Sequence, residues 1–382
     1  MTYKAFEDWY REGNIKHVLL TIHNGELISP PFATQRCIDY NKIMRYNGSE
    51  ISYIDTSLPP AVSKTNCVLD INGSSWFVPY GIYESNYNIV LELTKDFTTV
   101  NHPIAALGKG QFYSGASNGV TGFSFPLGYE NTQYGLYIED NEPKLVTFEH
   151  SVEKAHMGTV YCNGKYWSMP RGDQPGYNKL ASYDGKDFEL YDIPVDLSVT
   201  RKFTDIIVKG NILYSLPYGE VAGLTEVVEF DTDTKAITLH KLNIPDFAKK
   251  FNSMVMVGDN IIGIPYGDES CNHSNYGIVF NTVTKESKSF DIGIGQGGKY
   301  RYRSAIEFNN NAVFFPAGSP QYPVIIVDGD GVIQNIVDFT YYLFGRPVIY
   351  QNKLHVLAYH IETESHHMFV FDDKFSFKLI DL

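Results

Sequence analysis

Much of what would announce a function is missing from this chain of 382 residues. Cysteine is scarce: Cys37, Cys67, Cys162 and Cys271 are the only four, and none stands in a CxxC pair. That spacing argues against a zinc knuckle or a redox dithiol and reads as four separate, reduced thiols. Long apolar runs are absent. None approaches the roughly 18 residues of a membrane-spanning helix, and the first residues carry no apolar signal core. Synthesis in a reducing cytoplasm is therefore expected, which also suits a component of a virus particle. No basic tract offsets the net charge of -13, so neither nucleic acid nor membrane insertion is expected.

Catalytic signatures are missing too. There is no GxSxG elbow, no HExxH, no P-loop, and no GxGxxG set between a strand and a helix. The run Ser182-Tyr183-Asp184-Gly185 approaches a sialidase Asp-box but reads as an Asp-Gly hairpin turn. No cofactor and no metal site is expected. Sequons at Asn47, Asn72 and Asn272 read as chance matches in a chain without a signal peptide. What is abundant is hydrophobic and aromatic residues, 43% and 14%, enough for a packed core.

The informative feature is repetition. An Asn-Gly turn, a short aromatic strand and a proline make up NGKYWSMPRG, from Asn163. The same order recurs from Asn24, Asn72, Asn118, Gly210, Gly258 and Asn310. A last copy starts at Gln351, where Ala358 takes the place of the proline. The aligned prolines are Pro31, Pro79, Pro126, Pro170, Pro217, Pro265 and Pro316. A period of about 47 residues with strand chemistry marks the blades of a propeller. Asn-Gly suits a type I′ hairpin between a blade's first and second strands. Proline lacks an N–H, so it belongs where the second strand ends. A second hairpin follows in each copy, as in VVEFDTDTKAITLHKL from Val227.

The fold expected is all-β: an eight-bladed β-propeller of four-stranded antiparallel blades, with a seven-bladed ring as the alternative. Residues 15–382 form one propeller domain. Its blades span about 15–60, 61–107, 108–152, 153–198, 199–247, 248–297, 298–343 and 344–382. The first and last copies are each complete, which predicts a ring closed by packing, without strand exchange. The pattern resembles the Kelch and WD40 classes of propeller in architecture, over almost the whole chain. The sequence has no Trp-Asp dipeptide ending a third strand and no Gly-Gly pair ending a second, so neither family's partners follow.

Residues 1–14 lie outside the repeat. Tyr3, Phe6 and Tyr10, with Trp9 beside them, are spaced for one face of a short helix ended by Gly13-Asn14. Such a helix docks on the propeller itself or anchors another subunit.

Ligands of propellers usually sit on the face that carries the fourth-to-first and second-to-third loops. Cations precede the first strands, among them Lys64, Arg201 with Lys202, Lys249 with Lys250, Arg301 with Arg303, and Arg346. Acids follow the prolines, among them Asp173, Glu220 and Asp268. Two rings of opposite sign read either as ion pairs between blades or as a charged mouth. The candidate ligand-binding residues at that mouth are Arg171, Asp173, Arg201, Tyr218, Asp268, His273, Arg301 and Arg303. None is assigned a catalytic role.

Two functions fit. The first is a non-enzymatic binding or assembly propeller, set in a phage or virus particle as a tail, collar or fibre-associated component. It would contact other protein subunits or surface glycan. The alternative is a propeller enzyme, a glycoside hydrolase or lyase, acting on carbohydrate at the channel mouth. That reading needs a His or Tyr, an Arg and acids converging at one asymmetric place.

Overall fold

The computed structural model describes residues 14–80, 87–105, 111–127, 133–149, 155–172, 176–266, 275–293, 302–316, 322–339 and 341–382. Tyr3, Phe6, Trp9 and Tyr10 lie outside them.

The strands group into eight antiparallel sheets, each contiguous in sequence: 21–55, 65–103, 116–147, 160–192, 207–241, 251–291, 302–337 and 342–381. The protein is an all-β, eight-bladed propeller, and the seven-bladed alternative falls away. Seven sheets have four strands. In the eighth, the first strand is split into Tyr342–Phe344 and Val348–Tyr350, both paired with Lys353–His360.

The turn chemistry is more varied than a uniform Asn-Gly hairpin. Asn24-Gly25, Asn72-Gly73 and Asn163-Gly164 have positive φ at both positions, as type I′ requires. At Gly210-Asn211 and Gly258-Asp259 only the leading glycine is left-handed, the type II′ pattern. Asn118-Gly119 sits in a longer loop, where Asn118 Oδ1 accepts the N–H groups of Val120 and Thr121 at 2.9 and 2.7 Å.

The prolines share one structural place. Pro79, Pro126, Pro170, Pro265 and Pro316 face Thr65, Phe112, His156, Phe251 and Tyr302 across the inner hairpin. Ala358 faces Phe344 in the same way. Alanine keeps its N–H, and the second strand of blade 8 runs on to His360.

The main cores lie between blades. Each of the eight blade pairs encloses its own hydrophobic cluster, including the pair that closes the ring. Trp167 anchors the one between blades 4 and 5; it is fully buried and its Nε1–H donates to Cys162 O at 2.9 Å. At closure, Leu20, Leu27 and Met44 of blade 1 pack on Leu357, Met368 and Val370 of blade 8. Arg346 N donates to Val18 O at 3.1 Å, and Leu19 and Arg346 form a parallel bridge. Tyr350 Oη donates to Gly25 O at 2.9 Å, and Arg36 pairs with Glu364. Packing and direct bonds close the ring, and among the described residues no strand crosses the seam.

Candidate functional site

The first strands line the axis, and three of them are irregular where the side chains matter. The register with the second strand shifts between Thr65 and Cys67, Phe251 and Met254, and Tyr302 and Ser304. A bulge bends its strand and re-aims one side chain. The residue after the proline-facing position is thereby Asn66 in blade 2, Asn252 in blade 6 and Arg303 in blade 7. In blade 8 the break in the first strand holds Gly345-Arg346-Pro347.

These positions also tie blade to blade. Asn66 Nδ2 reaches Tyr113 O at 3.5 Å, Thr204 Oγ1 donates to Asn252 O at 3.2 Å, and Ser304 Oγ donates to Gly345 O at 3.1 Å. Ser114 Oγ bonds Thr159 Oγ1 at 3.1 Å. The polar groups of the channel wall therefore stand on a cross-braced frame, which is the support a preorganised site needs.

On that frame, among the described residues, one tyrosine gathers charge from several blades. The guanidinium of Arg303 lies 5.6 Å from the Tyr113 ring centroid and that of Arg346 lies 5.3 Å from it. Both arginine charges act on the phenol. Blades 3, 7 and 8 thus meet at one tyrosine, which Tyr80 flanks edge-on at 5.7 Å. Burial pushes the Tyr113 phenol up, but the two cations overcome it and hold it below the ordinary tyrosine value. Asp205 of blade 5 feels Arg346 as well. Burial dominates there and raises its carboxyl to about 6, against the backbone N–H of Ile206 and the Arg346 charge. Tyr113, Asp205, Arg303 and Arg346 all keep partial solvent exposure.

The candidate residues from sequence divide sharply. Arg303 is in this cluster. Arg171 follows Pro170 at the mouth and its backbone N–H donates to Ala155 O at 2.8 Å, the place taken by Tyr80, Tyr218 and Tyr266 in other blades. Tyr218 is buried, with its ring 5.7 Å from that of Tyr266. Arg201 pairs with Glu220 at 3.0 Å, and Lys249 of the next blade shares that carboxylate at 3.2 Å. Asp173, Asp268, His273 and Arg301 lie outside the described residues.

The ring of cations is two different things. Lys64, Lys202 and Lys250 are fully buried. Their ammonium groups donate into the preceding blade: Lys64 Nζ to Tyr40 O at 2.8 Å, Lys202 Nζ to Tyr177 O at 2.9 Å, and Lys250 Nζ to Asp246 Oδ1 at 2.9 Å. Burial lowers Lys64 to about 8 and moves Lys202 in the same direction. These lysines are braces between blades and do not form a charged mouth.

Sequence reasoning missed Tyr113 and Asp205, and counted Arg346 only as one cation of a ring. One signal was readable. First strands of a buried inner hairpin should be apolar, yet the residue after the proline-facing position is Asn66, Tyr113, Thr204, Asn252 and Arg303 in five blades. Among the described residues, no group of three or more His, Cys, Asp or Glu side chains is placed to hold a metal ion. No helix among them is long and apolar enough to cross a membrane.

The fold and this cluster define a propeller whose axial channel carries an asymmetric polar site. No protein-family model and no curated protein matches the chain. Solved structures do. A catalytically inactive virginiamycin B lyase from Staphylococcus aureus, crystallised with quinupristin, is 12% identical and superposes with a TM-score of 0.56, over 77% of this chain and 92% of that one. A streptogramin B lyase is 13% identical, with a TM-score of 0.52 over 94% of each chain. AztD from Citrobacter koseri in its apo form is 7% identical, with a TM-score of 0.50 over 84% of this chain and 86% of that one. At these identities the likeness is one of fold. The expectation of a non-enzymatic assembly module in a phage or virus particle is corrected by this finding. These three neighbours are two lyases and AztD, and none of the three is a particle component. The channel also breaks the symmetry that a purely structural ring would keep.

Proposed function

We propose that this chain is a propeller enzyme acting on carbohydrate at the channel mouth, and specifically a lyase. The observation that carries the proposal is Tyr113, a phenol held below its ordinary pKa between Arg303 and Arg346. A tyrosine so placed serves as a general base, because proton abstraction needs a group whose pKa approaches the working pH. Two guanidiniums beside it suit a sugar carboxylate and the negative charge that develops next to it.

The reaction is a β-elimination from an acidic sugar. Tyr113 takes the proton from the carbon next to the carboxylate, and Arg303 and Arg346 stabilise the charge left there. A carbon–carbon double bond forms as the bond from the neighbouring carbon to the glycosidic oxygen breaks. The departing oxygen keeps the electron pair and takes up a proton. Hydrolysis fits less well. It uses a pair of carboxyl groups, and among the described residues the cluster of Tyr113, Arg303 and Arg346 holds the single carboxylate of Asp205.

The test is a product assay. The purified chain is incubated with uronate-containing and neutral polysaccharides, and products are followed by ultraviolet absorbance and by reducing ends. Unsaturated product from the acidic polymers alone is expected. Reducing ends without absorbance would move the assignment to a hydrolase, and no release from any polymer would sink it.

A further inference from the structure

The seam between blades 8 and 1 holds a cavity of its own, apart from the channel cluster. It measures about 200 Å³, and its wall includes Lys16, His17, Tyr40, Lys42, Tyr53 and His366. The hydrogen bonds fix where its protons are. His17 Nδ1 lies 3.2 Å from Pro30 O, which can only accept, so the proton is on Nδ1. His17 Nε2 then accepts the Tyr40 hydroxyl proton at 2.8 Å. His366 Nε2 accepts the backbone N–H of Lys16 at 3.0 Å across the seam. The neutral His366 ring must therefore carry its proton on Nδ1.

That Nδ1–H is the unusual group. His366 is 9% exposed, and its Nδ1 has no acceptor among the described residues. The Nδ1–H is not sealed from solvent, so something entering the cavity can accept from it in place of water. The surroundings say what that something is. Lys16 Nζ stands 5.5 Å over the Tyr40 ring, and Lys42 adds a second ammonium. Among the described residues no Asp or Glu side chain lines the cavity, and Leu382 completes its wall. Two phenol rings, of Tyr40 and Tyr53, supply apolar wall beside these donors. Burial first, and the nearby lysine second, keep His366 neutral, down to about 4.

We propose that this seam cavity binds a small organic carboxylate, its oxygens on His366 Nδ1–H and the Lys16 and Lys42 ammonium groups and its body against the Tyr40 and Tyr53 rings. Such a ligand touches blade 1 through Lys42 and Tyr53 and blade 8 through His366. It binds only the closed ring, so its presence raises the melting temperature by mass action.

The full chain is titrated with benzoate, acetate and inorganic phosphate, each against chloride at matched ionic strength, by calorimetry and thermal melting. Saturable benzoate binding is expected, tighter than phosphate, with a melting temperature that rises with benzoate concentration. Lys42→Gln lies on an exposed position and leaves the fold intact; His366→Gln keeps an acceptor for the Lys16 N–H. Loss of one charge-assisted hydrogen bond should weaken benzoate roughly tenfold or more in each variant. Absence of saturable benzoate binding overturns the site. Binding that both variants leave unchanged places it elsewhere and also overturns it. Phosphate binding tighter than benzoate overturns the carboxylate assignment.

Discussion

The spaces between blades and the channel at their centre are built from the same repeat, yet they treat it in opposite ways. Between blades, one scheme is used eight times: apolar faces pack, and buried Lys64, Lys202 and Lys250 brace three of the joints. Along the axis, equivalent positions hold Asn66, Tyr113, Thr204, Asn252 and Arg303, and no two neighbouring blades agree. Stability is a property that many copies can share. A reaction centre is needed once, so the repeat must depart from itself at one place.

The comparison yields four predictions, ordered from the largest effect to the smallest. Tyr113→Phe should lower turnover of the acidic polymer by about 10²–10⁴-fold, the usual contribution of a general base, with no loss of melting temperature. A matching loss of stability would erase the distinction between channel and frame. Trp167→Ala should do the reverse. Deleting a fully buried tryptophan costs about 3–5 kcal/mol, read by denaturant unfolding, while the catalytic constants of the folded fraction stay the same.

His156 sharpens the comparison through pH. It is buried, its Nε2 meets Tyr177 Oη at 2.8 Å, and burial lowers it to about 3. Its folded pKa lies below the unfolded value of 6.5, so its contribution is complete above pH 6.5 and drains away as the pH falls towards 3. The slope is about 1.4 kcal/mol per pH unit while only the unfolded chain binds the proton. His156→Phe should remove that slope from unfolding curves taken between those limits. Phenylalanine fits there, since Phe112, Phe203, Phe251 and Phe344 occupy the place in other blades. An unchanged slope would mean that His156 does not titrate on unfolding. The smallest effect belongs to Glu220→Gln. Its ion pairs with Arg201 and Lys249 are partly exposed, and such pairs contribute about 0.2–1 kcal/mol. A double-mutant cycle with Arg201 that exceeds this range would make the rim ion pairs part of the frame.

The legible and illegible parts of this protein follow the same division. Asn-Gly turns and the spaced prolines act locally, through φ and a missing N–H, so blade number and closure could be read from the chain. Ala358 aligned because it faces Phe344 as the prolines face their partners. Arg303 was readable as a cation before a first strand. Tyr113 and Asp205 were not, because nothing local marks them. They matter only where four blades converge, an arrangement between residues far apart in the chain. The lysine ring misled for a related reason: charge suggests water, whereas neighbouring carbonyls had replaced the water around Lys64 and Lys202.

Because each sheet is one unbroken stretch of chain, the order of the blades in the gene is a convention that the ring does not enforce. Leu382 and Lys16 border the same cavity, so a short linker could join that end to the start of blade 1. New termini opened at the exposed stretch 196–198, between the fourth and fifth sheets, would leave all eight sheets whole. Such a circular permutant should assemble the same wheel from a different first spoke.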